Sequence, residues 1–327
     1  MISYFLEKRR QKKKSTIIGV EFDTKSISLV KVIKSFSGYS LDSYHTEVFT
    51  EDAFVDNDIN PVFLSKIIKS FIVKNKLSKK AKLGFMAYTD IDFYKESYKC
   101  DKKSIMFISE SGLSEFIREF FLKKKFPNNY KKIPFTYVNN IKEDNSFEIY
   151  FMQNSKYIDK IQSIGKYANK DVVSCEPDTY SVIRFVESIF NNENKSVLLG
   201  LYADKICFYS FSKEGKLEKH EVIKLFDHSN SAANYIDEVL LDLDRFVEMM
   251  SLDSMSSLGE DVNPPTIYLY GLKLDFDDIA QNIIKLYGDN CIIIDPFENI
   301  DTKSCDDNIN EKYKYLGSLS LALREEL

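Results

Sequence analysis

The sequence predicts an α/β protein of two lobes, in which one structural unit occurs twice and a smaller α+β segment lies between the copies. Three observations predict it. Strand-like runs and an amphipathic helix follow one another in the first 88 residues, and the same order returns after residue 195. The segment between the copies carries strand and helix patterns of its own. With 327 residues, the chain is long enough to form two or more ordinary cores.

The first copy contains three predicted strands, a helix and a fourth strand. Its strand-like runs are rich in β-branched residues or alternate in polarity, and they cover 16–22, 27–36, 39–49 and 81–88. The helix before the last strand has apolar residues at helical spacing, namely Leu64, Ile67, Ile68, Phe71 and Ile72. Together these patterns predict a strand–strand–strand–helix–strand unit.

The second copy repeats that order. Its predicted strands cover 196–202, 205–212, 217–226 and 266–270. The long helix before the last strand carries the apolar stripe Ile236, Val239, Leu240, Leu243, Phe246, Val247 and Met250. A duplicated unit of this kind is the plan of the actin-like, ribonuclease H-like fold, which we therefore predict.

The inserted segment and the two copies divide the chain into four parts. Predicted strands and helices of the insertion cover 94–99, 113–122, 133–138, 147–153 and 155–168. We assign residues 1–15 to a basic N-terminal tail, 16–89 and 173–194 to the first lobe, 90–172 to the inserted α+β subdomain and 195–327 to the second lobe.

Five segments, in order along the chain, resemble motifs of one family. Residues 19–30 resemble the opening G-[IL]-D-[IF]-G-S-S-S-[IV]-K-L-V of the type IV pilus assembly protein PilM family and its cell-division relative FtsA. Residues 126–127 fall at the position of the family motif I-P-F-P. Residues 176–184 are similar to D-x-E-x-x-A-L-x-R, residues 235–246 to L-x-x-E-[IV]-x-R-S-L-[DE]-x-[FY], and residues 316–324 to A-x-G-L-A-L-R. The resemblance implies an actin-like fold with the insertion as a partner-binding subdomain.

The resemblance also implies a nucleotide site, which this sequence retains only as a vestige. The positions that match it are Glu21, Asp23, Thr24, Lys25, Ser26, Gly200 and Gly271. Family members carry Asp at position 21, which holds a metal through water, and Gly at position 23, where the backbone approaches phosphate. Here Asp23 sets a carboxylate against the phosphate and repels it.

Three further nucleotide-contact regions depart from the family pattern. In the second phosphate loop D-x-G becomes Gly200-Leu201-Tyr202, and on the adenosine side S-G-G becomes Tyr270-Gly271-Leu272. A helical insertion with E-x-x-K is reduced to residues 227–234. We therefore expect a pseudo-ATPase that transfers no phosphoryl group and binds no cofactor or metal. The alternative is that the site binds magnesium ATP.

The resemblance implies a partner for the inserted subdomain. In the family, this region binds the cytoplasmic N-terminal peptide of PilN, a bitopic inner-membrane protein. Phe116, Phe120 and Phe126 are candidate apolar side chains of the groove, although Phe116 and Phe120 lie at helical spacing and also fit the core of the subdomain. Other components of the pilus platform or motor are further candidate partners.

Six cations stand close together near the N-terminus, at Lys8, Arg9, Arg10, Lys12, Lys13 and Lys14. They indicate either a solvated tail or reversible adsorption to an anionic membrane surface. The apolar runs are too short to cross a bilayer. We therefore expect a cytoplasmic protein that associates peripherally with the inner membrane.

Composition excludes several other classes of function. A net charge of −5 and a pI near 5.5 argue against nucleic acid as the main ligand. Three histidines and five dispersed cysteines without C-x-x-C argue against a metal site. The main alternative to a scaffold is an active actin-like ATPase that polymerises in cell division or secretion, followed by a sugar-kinase-like enzyme.

Overall fold

The structure is a computed structural model that describes most of the chain. It describes residues 17–35, 38–49, 53–55, 58–87, 93–99, 101, 103–104, 106, 113–128, 130, 135–140, 146–152, 155–188, 195–225, 232–255, 265–303, 305 and 309–324. The basic tail, including the six predicted membrane-surface cations, lies outside the described residues. So does most of the reduced insertion predicted at 227–234.

The first lobe begins with a meander that leads into a helix. Its elements are β1 (Ile17–Phe22), β2 (Ser26–Ser35), β3 (Gly38–Val48), the short β4 (Phe54–Val55) and β5 (Asp58–Ile59), α1 (Pro61–Lys74) and β6 (Lys82–Ala87). Helix α1 begins at a proline, and the Asn60 side chain caps it by accepting a 3.2 Å hydrogen bond from the Phe63 amide.

The described residues of the inserted segment include a small sheet and a helix. It contains β7 (Phe93–Lys99), α2 (Leu113–Ile117, continued through a π-helical turn at Arg118–Leu122 to Lys123–Lys125), β8 (Phe135–Asn140) and β9 (Ser146–Met152). Strand β9 pairs antiparallel with both β7 and β8. The predicted α+β character of this segment is therefore present.

The chain then returns to the first sheet through α3 (Ser155–Ala168) and β10 (Val172–Pro177). The strand order is β3-β2-β1-β6-β10, with β6 parallel to both β1 and β10. Helix α3 packs against α1, and Ile158, Ile161 and Ile164 are buried in the same core as Leu64 and Ile68. The sequence assigned this helix to the insertion, but its apolar face completes the core of the first lobe.

The second lobe has the same strand order. After α4 (Asp178–Ser188) come β11 (Ser196–Leu201), β12 (Lys205–Phe211), β13 (Leu217–Lys224), α5 (Ala232–Met255), β14 (Thr266–Gly271), α6 (Phe276–Tyr287) and β15 (Cys291–Ile293). The sheet order is β13-β12-β11-β14-β15, with β14 parallel to β11 and β15. Both sheets therefore start from an antiparallel meander and add two parallel strands, of which the predicted duplicated unit contains the first.

A short C-terminal helix, α7 (Leu316–Ala322), closes the fold after a 3₁₀ turn at Lys312–Tyr315. All of its residues are buried, and it contacts β1, β2 and β6 of the first sheet. Residues 316–324, which the sequence placed with the second lobe, therefore pack on the first sheet. This helix and α4 join the two halves of the molecule.

Candidate functional site

Three loops meet between the lobes, at the positions that the resemblance assigns to nucleotide. They are the β1–β2 turn, the β11–β12 turn and the loop that follows β14. The Ser26 hydroxyl donates a 3.2 Å hydrogen bond to the Leu272 carbonyl, and the Ala203 amide donates a 3.0 Å bond to the Asp23 carboxylate. Regions far apart in sequence thus form one polar site, as the fold prediction requires.

Asp23 is the centre of this site. Its side chain is 1% exposed, and its Oδ1 accepts from the amides of Lys25 (2.8 Å) and Ser26 (2.7 Å) and from the Ser26 hydroxyl (3.1 Å). Its Oδ2 accepts from the Ala203 amide on the opposite lobe. One carboxylate therefore satisfies donors of both turns.

The charges around Asp23 act in opposite directions. Burial raises the pKa of Asp23, and the neighbouring carboxylate of Asp204 raises it further, whereas Lys205 and the amide donors act to lower it. Lys205 is itself buried, and its Nζ pairs with Asp204 at 2.9 Å. Burial acts to lower the pKa of Lys205, but Asp204 and other neighbours raise it overall. Lys205 thus stays a cation beside the buried carboxylate.

Glu21 and Tyr202 form a second bond across the site. The Tyr202 hydroxyl donates to Oε1 of Glu21 at 2.6 Å, and both side chains are buried. Burial and the Glu21 carboxylate raise the pKa of Tyr202 well above its usual value, so the phenol remains protonated and can donate. The ring of Tyr270 packs edge-on against that of Tyr202, with centroids 6.2 Å apart. Phenols thus fill this part of the cleft.

The two predicted glycines of the site make room for close packing. A Cβ on Gly200 would lie 2.8 Å from the Tyr270 ring and 2.9 Å from that of Tyr202. Gly271 has φ +138°, and a Cβ there would lie 2.0 Å from the Leu201 carbonyl oxygen. Both positions therefore require glycine for the packing of the protein against itself.

The remaining predicted residues lie at the rim. Thr24 is half-buried and Lys25 is exposed at the tip of the β1–β2 turn, while Ser26 is buried beneath it. The Lys25 carbonyl accepts a 2.8 Å bond from the Phe49 amide, which fixes the turn to the end of β3. The structure therefore brings together all seven predicted residues of the vestigial site.

Sequence reasoning missed three residues of the site: Ala203, Lys205 and Tyr235. The Tyr235 hydroxyl donates to the Tyr202 carbonyl at 3.2 Å, and the Lys273 ammonium lies 4.3 Å from the centroid of the Tyr235 ring. Lys205 stands next to the apolar run of β12, and a lysine is rarely buried without a charged partner. Its position in the sequence therefore indicates a buried ion pair.

The three candidate phenylalanines of the inserted subdomain differ in exposure. Phe116 is 1% exposed and stacks on Phe120, with centroids 4.7 Å apart, whereas Phe120 is 54% exposed. Phe116 also packs against Tyr98 of β7, at 5.7 Å. Phe126 is half-buried at the end of α2. Phe116 thus belongs to the core of the subdomain, while Phe120 and Phe126 present apolar surface.

The described residues include neither a cluster of metal-ligating side chains nor a membrane-spanning helix. No cluster of three or more His, Cys, Asp or Glu side chains in the described part of the chain could hold a metal ion. Likewise, none of the described helices is both long enough and apolar enough to span a membrane.

The structure, and not the sequence, shows what this chain is similar to. No protein-family model matches the sequence, and no curated protein sequence matches it. The structure aligns with that of a PilM–PilN type IV pilus biogenesis complex over 95% of this chain and 98% of that chain, with a TM-score of 0.62 and 13% identity. The chain has the actin-like fold. The two sheets of equal strand order agree with this assignment.

Two other solved structures align less closely with this actin-like chain. One is a protein with an actin-like ATPase fold from Bacteroides thetaiotaomicron, at 11% identity and TM-score 0.47, covering 96% of this chain and 98% of that chain. The other is the ethanolamine utilization protein EutJ from Carboxydothermus hydrogenoformans, at 11% identity and TM-score 0.45, covering 94% and 88%. The predicted fold class and the predicted resemblance to PilM are both confirmed.

Proposed function

We propose that this protein is a non-catalytic scaffold of a type IV pilus assembly platform, where it binds the cytoplasmic N-terminal peptide of a PilN-like bitopic membrane protein. The observation that carries this proposal is the alignment with PilM in a PilM–PilN complex over nearly the full length of both chains. The ordered sequence motifs at 19–30, 176–184 and 316–324 support it independently.

The interior of the cleft supports the pseudo-ATPase part of the proposal. The donors that would approach a phosphate from the β1–β2 turn bond to the Asp23 carboxylate instead. Tyr202 and Tyr270 fill the neighbouring space, and their rings are buried. A phosphate entering here would have to displace an anion and two phenols, so we expect weak nucleotide binding at most.

The exposed aromatic surface of the inserted subdomain supports a peptide site. Phe120 leaves half of its side chain in water although it stacks on the buried Phe116. The neighbouring Lys123, Lys124 and Lys125 are also exposed. An extended peptide with apolar side chains would cover Phe120 and Phe126 on binding.

Peptide titration tests the scaffold role. The probe is the labelled cytoplasmic N-terminal peptide of a PilN-like single-pass membrane protein from the same organism. We expect Phe120→Asp and Phe126→Asp to weaken binding by roughly tenfold or more if each is a buried anchor. Leu241→Asp is the matched control, because Leu241 is 72% exposed on α5 of the second lobe. Full affinity in both phenylalanine variants would exclude this groove, and no binding by wild type would exclude the pilus role.

Calorimetry with magnesium ATP tests the pseudo-ATPase role. We expect no turnover and no saturable binding at micromolar concentrations. A micromolar dissociation constant that Lys25→Ala abolishes would favour the alternative, an active actin-like ATPase, because Lys25 is the exposed cation of the β1–β2 turn.

We also propose that the protein works in the cytoplasm, on the surface of the inner membrane. The basis is the sequence of the basic tail, with six cations between residues 8 and 14. The full chain should float with anionic liposomes, and a variant in which these six cations are neutralised should not. Equal flotation of the neutralised chain would show that the tail only adds solubility.

A further inference from the structure

One carboxylate lies in a cradle of donors that comes from both lobes. The Asp23 cradle consists of the backbone amides of Lys25, Ser26 and Ala203 together with the Ser26 hydroxyl, at 2.7–3.1 Å from the carboxylate oxygens. Converging backbone amides of successive residues form a concave site that suits a small anion. Here the anion is a side chain of the protein itself.

Local turn structure accounts for only part of this arrangement. The bonds from Lys25 and Ser26 span two and three residues, as in any turn closed by an aspartate. The bond from Ala203 spans 180 residues and comes from the β11–β12 turn of the second sheet. The β1–β2 turn does not need this bond, so the carboxylate also links the two lobes.

The hydrogen-bond donors of the cradle and Lys205 favour an anion, whereas burial and the Asp204 carboxylate act against it and raise the pKa of Asp23. Lys205 is 7% exposed and close enough to Asp23 to lower the pKa of that carboxyl. Without Asp23, the Lys205 ammonium would keep Asp204 as its ion-pair partner, and the Ser26 and Ala203 amides would lose their acceptor. A buried donor without an acceptor is costly, so an empty cradle is an unfavourable state.

We propose that the cradle is a binding site for a small oxyanion, which the chain occupies with its own Asp23, and that this internal ligand holds the two turns together without any external ligand. The cleft is then closed in the free protein. This inference rests on the geometry of the cleft and not on the pilus partner, so either proposal can fail while the other stands.

The test removes the carboxylate and supplies it from solution. Asp23→Ala deletes the anion and leaves space for formate, which has the same size as the missing carboxylate. Hydrogen exchange followed by mass spectrometry reports on two peptides, one covering 22–27 and one covering 201–205. Asp301→Ala is the matched control, because the exposed Asp301 also closes a turn, by accepting a 3.1 Å bond from the Lys303 amide.

The proposal predicts the hydrogen-exchange rate of both peptides, 22–27 and 201–205. In Asp23→Ala, we expect both to exchange roughly tenfold or more faster than in wild type, because each turn loses its acceptor. Formate should restore slow exchange in a saturable manner, with no effect of chloride at equal ionic strength. Unchanged exchange at 201–205, or an equal effect of formate on wild type and Asp301→Ala, would overturn it.

A second variant keeps the test decisive if Asp23→Ala does not fold. Asp23→Asn has nearly the same shape, but it offers one oxygen and an NH₂ group that cannot accept. Whichever way the amide turns, one lobe loses its acceptor. Because the side chain still fills the space, formate should have no effect on this variant. Wild-type exchange at both peptides of a folded Asp23→Asn would show that the carboxylate does not join the turns.

Discussion

The Tyr202 hydroxyl donates a 2.6 Å hydrogen bond to Glu21, and this bond joins the β11–β12 turn to the end of β1. Both side chains are buried, at 1% and 2% exposure. A bond between a neutral donor and a carboxylate is shorter and stronger than one between neutral groups. The resemblance implies an acid at position 21 that holds a metal through water. In this chain the acid at position 21 accepts a hydrogen bond from a phenol.

Replacing Tyr202 by phenylalanine tests the strength of this bond. The variant keeps the ring against Tyr270 but leaves Glu21 without the Tyr202 donor. We expect a loss of about 1.5–3 kcal/mol in the free energy of unfolding, the usual range for hydrogen bonds to charged groups. Urea denaturation measures it. Tyr167→Phe, at a 47% exposed position, should change stability little, and equal losses in the two variants would contradict the expectation.

The meanders of both lobes could be predicted from the sequence because they are local patterns. The first strand of the first half is predicted at 16–22 and is Ile17–Phe22, and the second strand of the second half is predicted at 205–212 and is Lys205–Phe211. Their β-branched residues and short polar turns identify them without reference to the rest of the chain. The same reasoning found the long helix of each lobe.

The prediction missed α6 and β15 of the second lobe, although α6 carries a usable signal. Phe276, Ile279, Ala280 and Ile283 are buried along one face of it at helical spacing. Strand β15 is only Cys291–Ile293, too short for alternation to be recognised. Strand β15 completes the parallel half of the second sheet, and α6 leads into it as α3 leads into β10 in the first lobe.

The chemistry of the cleft could be predicted only in part. An aspartate at position 23 indicates that phosphate is repelled, because this follows from residue type alone. That its carboxylate accepts from Ala203 depends on how the two lobes pack, and no local pattern carries that information. For the same reason, the sequence could not show that α3 packs on α1 or that α7 returns to the first sheet.

The segment 176–184, which matches the D-x-E-x-x-A-L-x-R motif, forms a buried ion pair. Glu176 is fully buried, and both of its carboxylate oxygens accept from the Arg184 guanidinium, at 2.7 and 3.0 Å. Arg324, just beyond α7, lies 3.4 Å from the same carboxylate. Arg184 also donates to the Ser320 carbonyl at 3.0 Å. The motif thus fixes the C-terminal helix to α4 and β10.

Glu176→Gln should therefore destabilise the protein strongly. It leaves the Arg184 guanidinium near a neutral amide, and breaking a buried pair in this way typically costs about 3–5 kcal/mol. Glu221→Gln is the matched control, since Glu221 pairs with Arg245 at 2.7 Å on the surface and should contribute less than about 1 kcal/mol. Thermal and urea denaturation of the two variants measure the difference. Similar losses in both would show that the Glu176 pair adds no more than a surface pair.

The buried cysteines should be unreactive in the native state. Cys175 and Cys207 are fully buried, and burial raises the pKa of each thiol. Burial also raises the pKa of Cys291 to about 12. At pH 8 these thiols are neutral and inaccessible, so iodoacetamide should label them only after denaturation. Mass spectrometry of labelled peptides checks this, and rapid native labelling of Cys207 would show that the second sheet opens.

The pH dependence of stability should identify Asp23 as a buried acid. Burial, followed by Asp204, raises the pKa of Asp23 above its value in the unfolded chain, about 3.9. The folded state then binds the proton more tightly, so this group stabilises the fold below about pH 4, and that contribution is lost as the pH rises through the raised pKa. Asp23→Asn cannot titrate and should lack this loss. Urea denaturation of both proteins from pH 4 to 8 measures it. We expect the stability of wild type to fall relative to Asp23→Asn as the pH rises, by about 1.4 kcal/mol for each unit by which the pKa is raised.

Asp301→Asn, at an exposed position, should follow wild type throughout. A constant difference between wild type and Asp23→Asn over this range would mean that the amide donors and Lys205 offset the cost of burying the carboxylate in full.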